Sequence, residues 1–414
     1  MELRIRESGA AGTLPVVIRA SRRLVTVVAA VLGLAGCSAA DRAVLLAPPC
    51  RAGAGAPQPV EPVSGTVYAW KPHFAAAQEG GAGIGGAGPE VVPGWSDVVS
   101  LASSGFTTYA VRADGTVWVY GLGHLGSLGD GELARHSAPA PQQVPGISDA
   151  RSVHVVGSAA FVVRADGTVL AWGEGLLAHG GTRDSVRDHV GSPRPVDGLT
   201  GVHAIAPGAL TALALRTDGT VAGWGINLTD VLGDRADTSL TTVDGVSGVV
   251  SLASAGGAVV AASAEGGVCA WGNNAHGLLG VTPTGGQTGR PVEVAGLVDV
   301  VQVAGGSDVA YARDRHGGVW AWGRGAAGAL GDGQAGDHVS AVPTRVADLP
   351  PARWIGATGL TGYAVDADGG LWAWGSGAAI GRYAAGSALT PVRIPLPGPV
   401  LAVSGSHALV AAPA

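Results

Sequence analysis

The chain has 414 residues, of which 70 are glycine, 14% charged and 5% aromatic, so it is long enough for one large domain or several small ones. Its formal net charge is −6, Lys71 is the sole lysine, and no basic run occurs. That excludes the basic footprint of a nucleic-acid-binding protein. Three cysteines without a C-x-x-C spacing exclude structural zinc.

Residues 1–36 have the pattern of a cleaved leader rather than part of a fold. Arg22 and Arg23 precede an apolar stretch, Leu24 to Leu34, whose eleven residues are too short for a comfortable bilayer span. The following Leu34-Ala35-Gly36-Cys37 resembles the bacterial lipobox, whose cysteine is diacylated and becomes the new N-terminus. The resemblance implies lipidation at Cys37 and an exported chain anchored in a membrane or outer envelope. "SRRLV" at 21–25 is also weakly similar to a twin-arginine export signal, so the route stays open.

Residues 37–63 are rich in Ala, Pro and Gly without a period, the composition of a flexible tether. Two acyl chains suffice for stable anchoring. The leader carries five arginines and two glutamates, which leaves 20 basic and 29 acidic residues and a net charge of −9.

From residue 64 onward the sequence repeats itself. An apolar core of V-x-A-W type occurs at Val67 to Trp70, Val117 to Tyr120, Val169 to Trp172, Val221 to Trp224, Val268 to Trp271, Val319 to Trp322 and Leu371 to Trp374. The spacings of the last residues are 50, 52, 52, 47, 51 and 52, and six of the seven are Trp. Each core follows a turn pair, such as Asp114-Gly115, Asp166-Gly167, Asp218-Gly219 or Asp368-Gly369. Asp-Gly between apolar runs signals a hairpin, because glycine accepts the positive φ of a tight turn. The first arms lie upstream, as at Tyr109 to Arg112 and Phe161 to Arg164.

One first arm, Leu409 to Ala412, has no core after it, and the first core, Val67 to Trp70, has no arm before it. Pairing the two completes a seventh unit from both ends and closes the chain into a ring, which removes free sheet edges. Position x holds Tyr68, Trp118, Leu170, Ala222, Cys269, Trp320 and Trp372, so both faces of the core strand are covered. The expected fold is all-β, a seven-bladed propeller of four-stranded antiparallel blades spanning 64–414, and a monomer.

The succession of Gly-rich arm, Asp-Gly turn, V-x-A-W-G core, G-x-L-G turn and P-x-x-V resembles the regulator-of-chromosome-condensation repeat, a family of seven-bladed propellers. It is most complete in "DGTVWVYGLGHLGSLGDG" at 114–131 and "GGVCAWGNNAHGLLG" at 266–280. The family's Gly-Ser-x-His element survives only in "SGSHALV" at 404–410, as His407. The inserted wedge and basic tails of the chromatin-bound exchange factors are not evident, so the resemblance does not extend to nucleotide exchange. In architecture the chain is similar to secreted bacterial members that inhibit β-lactamases, with no partner-contacting residue carried over.

"GGVWAWGRGAAGALGDG" at 317–333 contains Gly323, Gly325 and Gly328 in G-x-G-x-x-G spacing, the fingerprint of dinucleotide-binding turns. That fingerprint needs a helix after it, and Gly331, Gly333, Gly336 and Pro343 preclude one. The glycines are assigned to a turn, and no cofactor is expected.

Other chemistry is equally sparse. His179, Asp184, Asp188 and His189 form the one local cluster of ligand-type residues and are assigned to a polar loop between blades. Asp130, Asp234 and Asp332 follow the same L-G turn, and recurrence points to turn capping. A Cys50–Cys269 pair is allowed by an oxidising compartment and disfavoured by the need for a mobile segment to reach a buried strand. Trp95 and Trp354 align with core positions.

What varies between copies is the segment after each core, and equivalent turns of a ring emerge on one face. The candidate partner-binding residues there are His73, Phe74, Leu122, His124, Asn227, Asn274, His276 and Arg324. The expected function is non-enzymatic binding of a protein partner at the bacterial envelope, with inhibition or scaffolding of an envelope enzyme as its finer form. The alternative is a carbohydrate-active or other hydrolase at the channel mouth, which would show itself by two carboxylates about 5–10 Å apart.

Overall fold

The computed structural model describes residues 55–58, 63–70, 89–104, 106–174, 189–208, 210–233, 239–282, 284–376 and 386–411. Cys37, Cys50, His73, Phe74, Asp184, Asp188, His179 and Asp234 lie outside the described residues.

The described residues form strands in seven four-stranded groups, here blades I to VII. Blades II to VII span 98–143, 150–195, 202–242, 249–293, 300–345 and 352–394, each an antiparallel meander. Blade I is assembled from Gly65–Ala69, Glu90–Val91, Val400–Ser404 and His407–Ala411. Thr66 pairs with Val410 and Val67 with Leu409, which is the closure that the unpaired first arm required. A single residue pair, Gly65 with Val98, joins blades I and II into one eight-stranded sheet, and the other five sheets have four strands each.

Burial changes from the axis outward. The first strand of each blade packs beside the first strand of the next, around the centre of the ring, and is largely half-exposed. Second strands are buried on both faces, as in Thr107–Arg112, where only Arg112 is half-exposed. Third strands carry the V-x-A-W cores, with Trp172, Trp224, Trp271, Trp322 and Trp374 fully buried. A buried Trp of this kind contributes about 3–5 kcal/mol against truncation to alanine. Fourth strands are mostly exposed, and Pro141, Pro193, Pro291, Pro343 and Pro391 interrupt them beside bulges in the ladder. A proline lacks the N–H that an incoming strand would use, so the outer edges of these five blades are blunted.

Blades are stitched together through the core tryptophans. Trp172 Nε1 donates to the Ser127 carbonyl of the preceding blade at 2.9 Å, Trp271 to Val231 at 2.8 Å, Trp322 to Leu278 at 2.8 Å and Trp374 to Ala329 at 3.0 Å. Three of the acceptors are the x residue of a G-x-L-G turn, and Val231 holds the same place in Asp230-Val231-Leu232-Gly233. The repeat therefore encodes its own interface: one blade's turn offers the carbonyl that the next blade's Trp requires when buried.

Trp95 is buried, edge-on to Tyr120 with ring centroids 4.9 Å apart, and Trp354 is half-buried against blades I and VII. The stretch after Trp322 makes only a 3-10 turn, Ala326–Gly328. A Cβ on Gly325 would meet the His338 ring at 2.4 Å, so this glycine accommodates a neighbouring side chain.

Candidate functional site

First and third strands of a blade run the same way, so the turn after the first and the loop after the third emerge on one face. A repeated hydrogen bond ties them together. The N–H of Leu122 donates to the Phe106 carbonyl, Glu174 to Ser158, Ile226 to Leu210, Asn273 to Gly257, Arg324 to Asp308, Ser376 to Leu360 and Trp70 to Ser406. In six blades the residue before the donor is the glycine that ends the core, at positive φ. At Gly173 a Cβ would lie 1.8 Å from the Ser158 carbonyl oxygen. The G of V-x-A-W-G thus exists to let the loop lie against the turn. This loop face is opposite the hairpin face, which carries the Asp-Gly turns.

The Asp-Gly turns behave as the sequence suggested. Asp114, Asp166 and Asp218 each accept the N–H of the Thr two residues on at 2.9 Å and its hydroxyl at 2.6 Å. The Thr hydroxyl is the main reason these carboxyls titrate below the usual range.

Asp130 and Asp332 cap their turns by accepting the N–H of Glu132 at 3.2 Å and Gln334 at 3.0 Å. Each also meets a histidine, His136 Nε2 at 2.8 Å and His338 Nε2 at 2.9 Å. The same pair in blades II and VI marks it as architecture of the repeat.

Among the described residues, the loop face presents two sectors. Blades II and IV present apolar groups: Phe106 is 64% exposed, Leu228 65% and Leu210 38%. Blades V and VI present charge. Arg324 Nε donates to Asp337 Oδ1 at 2.9 Å, Arg324 Nη1 lies 3.8 Å from Asp308 Oδ2, and His276 Nε2 from blade V lies 3.9 Å from Asp308 Oδ1. Arg324 holds the Asp337 carboxyl below its ordinary range, and Asp337 in turn raises the guanidinium. These ion pairs are partly exposed, so solvent screening leaves them little weight in folding. A glycosidase acid needs a raised carboxyl, the opposite of what Arg324 does to Asp337.

The candidate residues thus separate. His276 and Arg324 come together through Asp308, and His124 is exposed on the same face in blade II. Leu122 is half-buried and its carbonyl accepts the Thr107 hydroxyl at 2.8 Å. Asn227 and Asn274 turn inward. Asn227 Oδ1 accepts the Leu232 N–H at 2.9 Å, and Asn274 Oδ1 accepts the Leu279 N–H at 3.1 Å, so each braces the x-Leu-Gly turn of its blade. Phe106, Leu210 and Asp308 belong to the first turns, outside the segments selected from sequence variation. Strand parity is the signal that would have found them.

Cys269 is disulfide-bonded. Its partner lies outside the described residues. Among the described residues no group of three or more His, Cys, Asp or Glu is placed to hold a metal ion.

Comparison with known proteins agrees with the architecture. The regulator of chromosome condensation (RCC1) repeat matches residues 265–312 and 316–358. Human E3 ubiquitin-protein ligase HERC2 is 33% identical over 136 residues, 31% of this chain but only 3% of HERC2. Yeast RCC1 (Prp20), in its crystal structure with Kap60, has a TM-score of 0.70 at 19% identity, covering 84% of this chain and 88% of that one. Human WBSCR16 gives 0.71 at 22% identity, covering 84% of this chain and 100% of that one. The repeat model thus matches parts of blades V to VII, and over most of its length the chain has the fold of the yeast RCC1 propeller, so it is similar to RCC1-repeat β-propellers in repeat and in fold.

Proposed function

We propose that this propeller is a non-enzymatic protein-binding module, held at the bacterial envelope by a diacylated Cys37, that engages its partner through the loop face. The observation carrying the reading is the pairing of an exposed aromatic and leucine sector with a charged sector centred on Arg324. Aromatic and arginine side chains dominate binding energy at protein interfaces. Prp20 is described with Kap60, and its binding to Gsp1p and histones has been characterised, so the fold serves protein recognition elsewhere. Inhibition or scaffolding of an envelope enzyme is the finer form of this proposal.

The test is a pull-down from envelope extract with the intact protein as bait beside a variant carrying Phe106→Ser and Arg324→Glu. A protein retained by the first and lost by the second is expected. Retention by both would move the binding surface off this face, and empty eluates from both would sink the reading. Titrating a captured enzyme with the propeller, with no change in its turnover, would remove the inhibitory form.

A further inference from the structure

Residues 55–58 lie against blades IV and V on the hairpin face. A Cβ built on Gly55 would fall 1.9 Å from the Ala264 Cβ, and one built on Gly219 would fall 2.5 Å from the Gly55 carbonyl oxygen. Gly219 belongs to the Asp-Gly turn of blade IV, and Ala264 to the hairpin turn of blade V. Pro57 is buried there.

The side chains at position x point to the same place. In five blades they are large and half-exposed: Tyr68, Trp118, Leu170, Trp320 and Trp372. In blades IV and V they are Ala222 and Cys269, small and only 0% and 4% exposed. Small residues are thus covered in the two blades that the N-terminal segment touches.

Cys269 is disulfide-bonded, and the chain holds two other cysteines, Cys37 and Cys50. We propose that Cys50 is the partner, and that a Cys50–Cys269 disulfide staples the segment before the propeller to blade V. Cys269 pairs across the hairpin with Ala261, three residues before Ala264. Cys50 precedes the docked Gly55 by five residues, a reach of at most about 18 Å. Cys37 is eighteen residues from Gly55. Forming the bond removes two protons and two electrons from the two thiols. A disulfide-bearing thiol oxidoreductase accepts the electrons by exchange and leaves as the dithiol.

The staple fixes where the tether leaves the ring. The staple does not depend on the lipid-anchor reading.

The experiment is peptide mapping of the full chain, made in an oxidising compartment, after blocking free thiols with iodoacetamide under denaturing, non-reducing conditions. A linked pair containing Cys50 and Cys269 that disappears on reduction is expected. Alkylated Cys269, or Cys269 linked to Cys37, overturns the proposal. Limited trypsin digestion provides a second readout: Cys50→Ser and Cys269→Ala should each speed cleavage at Arg51 on the order of tenfold. Unchanged cleavage in both variants overturns the staple as what holds the segment. Fatty-acid labelling reads Cys37 separately, and a linked but unlabelled chain removes the anchor while supporting the staple.

Discussion

Tyr120 in blade II and His407 in blade I are hydrogen-bonded through the phenol hydroxyl and Nε2, although 287 residues separate them. They are the two exceptions of the repeat: Tyr120 stands where six blades have Trp, and His407 is the sole histidine kept in its element. The exceptions meet at the junction where the ring closes. Burial raises the Tyr120 phenol far above its ordinary pKa, so it stays protonated as a donor.

Removing that donor leaves a buried imidazole nitrogen without it. Tyr120→Phe should lower unfolding stability by about 1–3 kcal/mol with the fold intact, read as a reduced denaturant midpoint at constant slope. A change under about 0.5 kcal/mol would show that the bond is not a closure latch.

The Ala329 carbonyl accepts two bonds, from Tyr311 of its own blade at 2.5 Å and from Trp374 of the next. Tyr311→Phe and Trp374→Phe should each cost about 1 kcal/mol. Sharing one acceptor makes the pair non-additive, with a coupling of about 0.5 kcal/mol or more in a double-mutant cycle. Strict additivity would count against the shared carbonyl as a joint between blades.

His154, on the first strand of blade III, has its pKa pushed down to about 4 by burial first and then by Arg151 and His203. As pH falls below about 6.5 the unfolded chain takes up the proton before the folded one, so stability declines between pH 6.5 and 4. Its surface is half-exposed, which reduces the loss to roughly 1–2 kcal/mol. Melting temperatures across this window should be flatter in His154→Gln. Parallel curves for the two proteins would assign the acid sensitivity elsewhere, with His203, also lowered by burial, tested next.

Gly173 and Gly146 separate two costs of replacing glycine. Both have positive φ, but a Cβ at Gly173 strikes the Ser158 carbonyl at 1.8 Å and one at Gly146 meets nothing within 4 Å. Gly146→Ala should cost about 1–2 kcal/mol from backbone strain alone. Gly173→Ala should cost about 2–4 kcal/mol, because the loop must also leave the turn. Equal losses would mean that the loop yields without resistance.

The ring was legible because its signals are redundant. Asp-Gly turns, the buried core and the unmatched arm at Leu409 each specify the same seven hairpins, and the structure pairs Val67 with Leu409. The site was less legible, since side-chain direction inside a loop leaves little trace in sequence. Asn274 and His276 sit two residues apart in the same loop, yet one braces a turn and the other reaches Asp308. Phe106 is exposed because the turn it occupies shares the face of the third-strand loops, a relation that depends on strand direction rather than on spacing.

Closure by Gly65–Ala69 and His407–Ala411 also orders events in time. A ribosome delivers the first of these strands some 340 residues before the second, so the growing chain must keep one edge unpaired until the second has emerged. Blades II to VII hold all their own strands, but the arc they form stays open during synthesis. The vulnerable interval of this protein, when aggregation or proteolysis competes with folding, therefore lasts at least until His407–Ala411 has emerged.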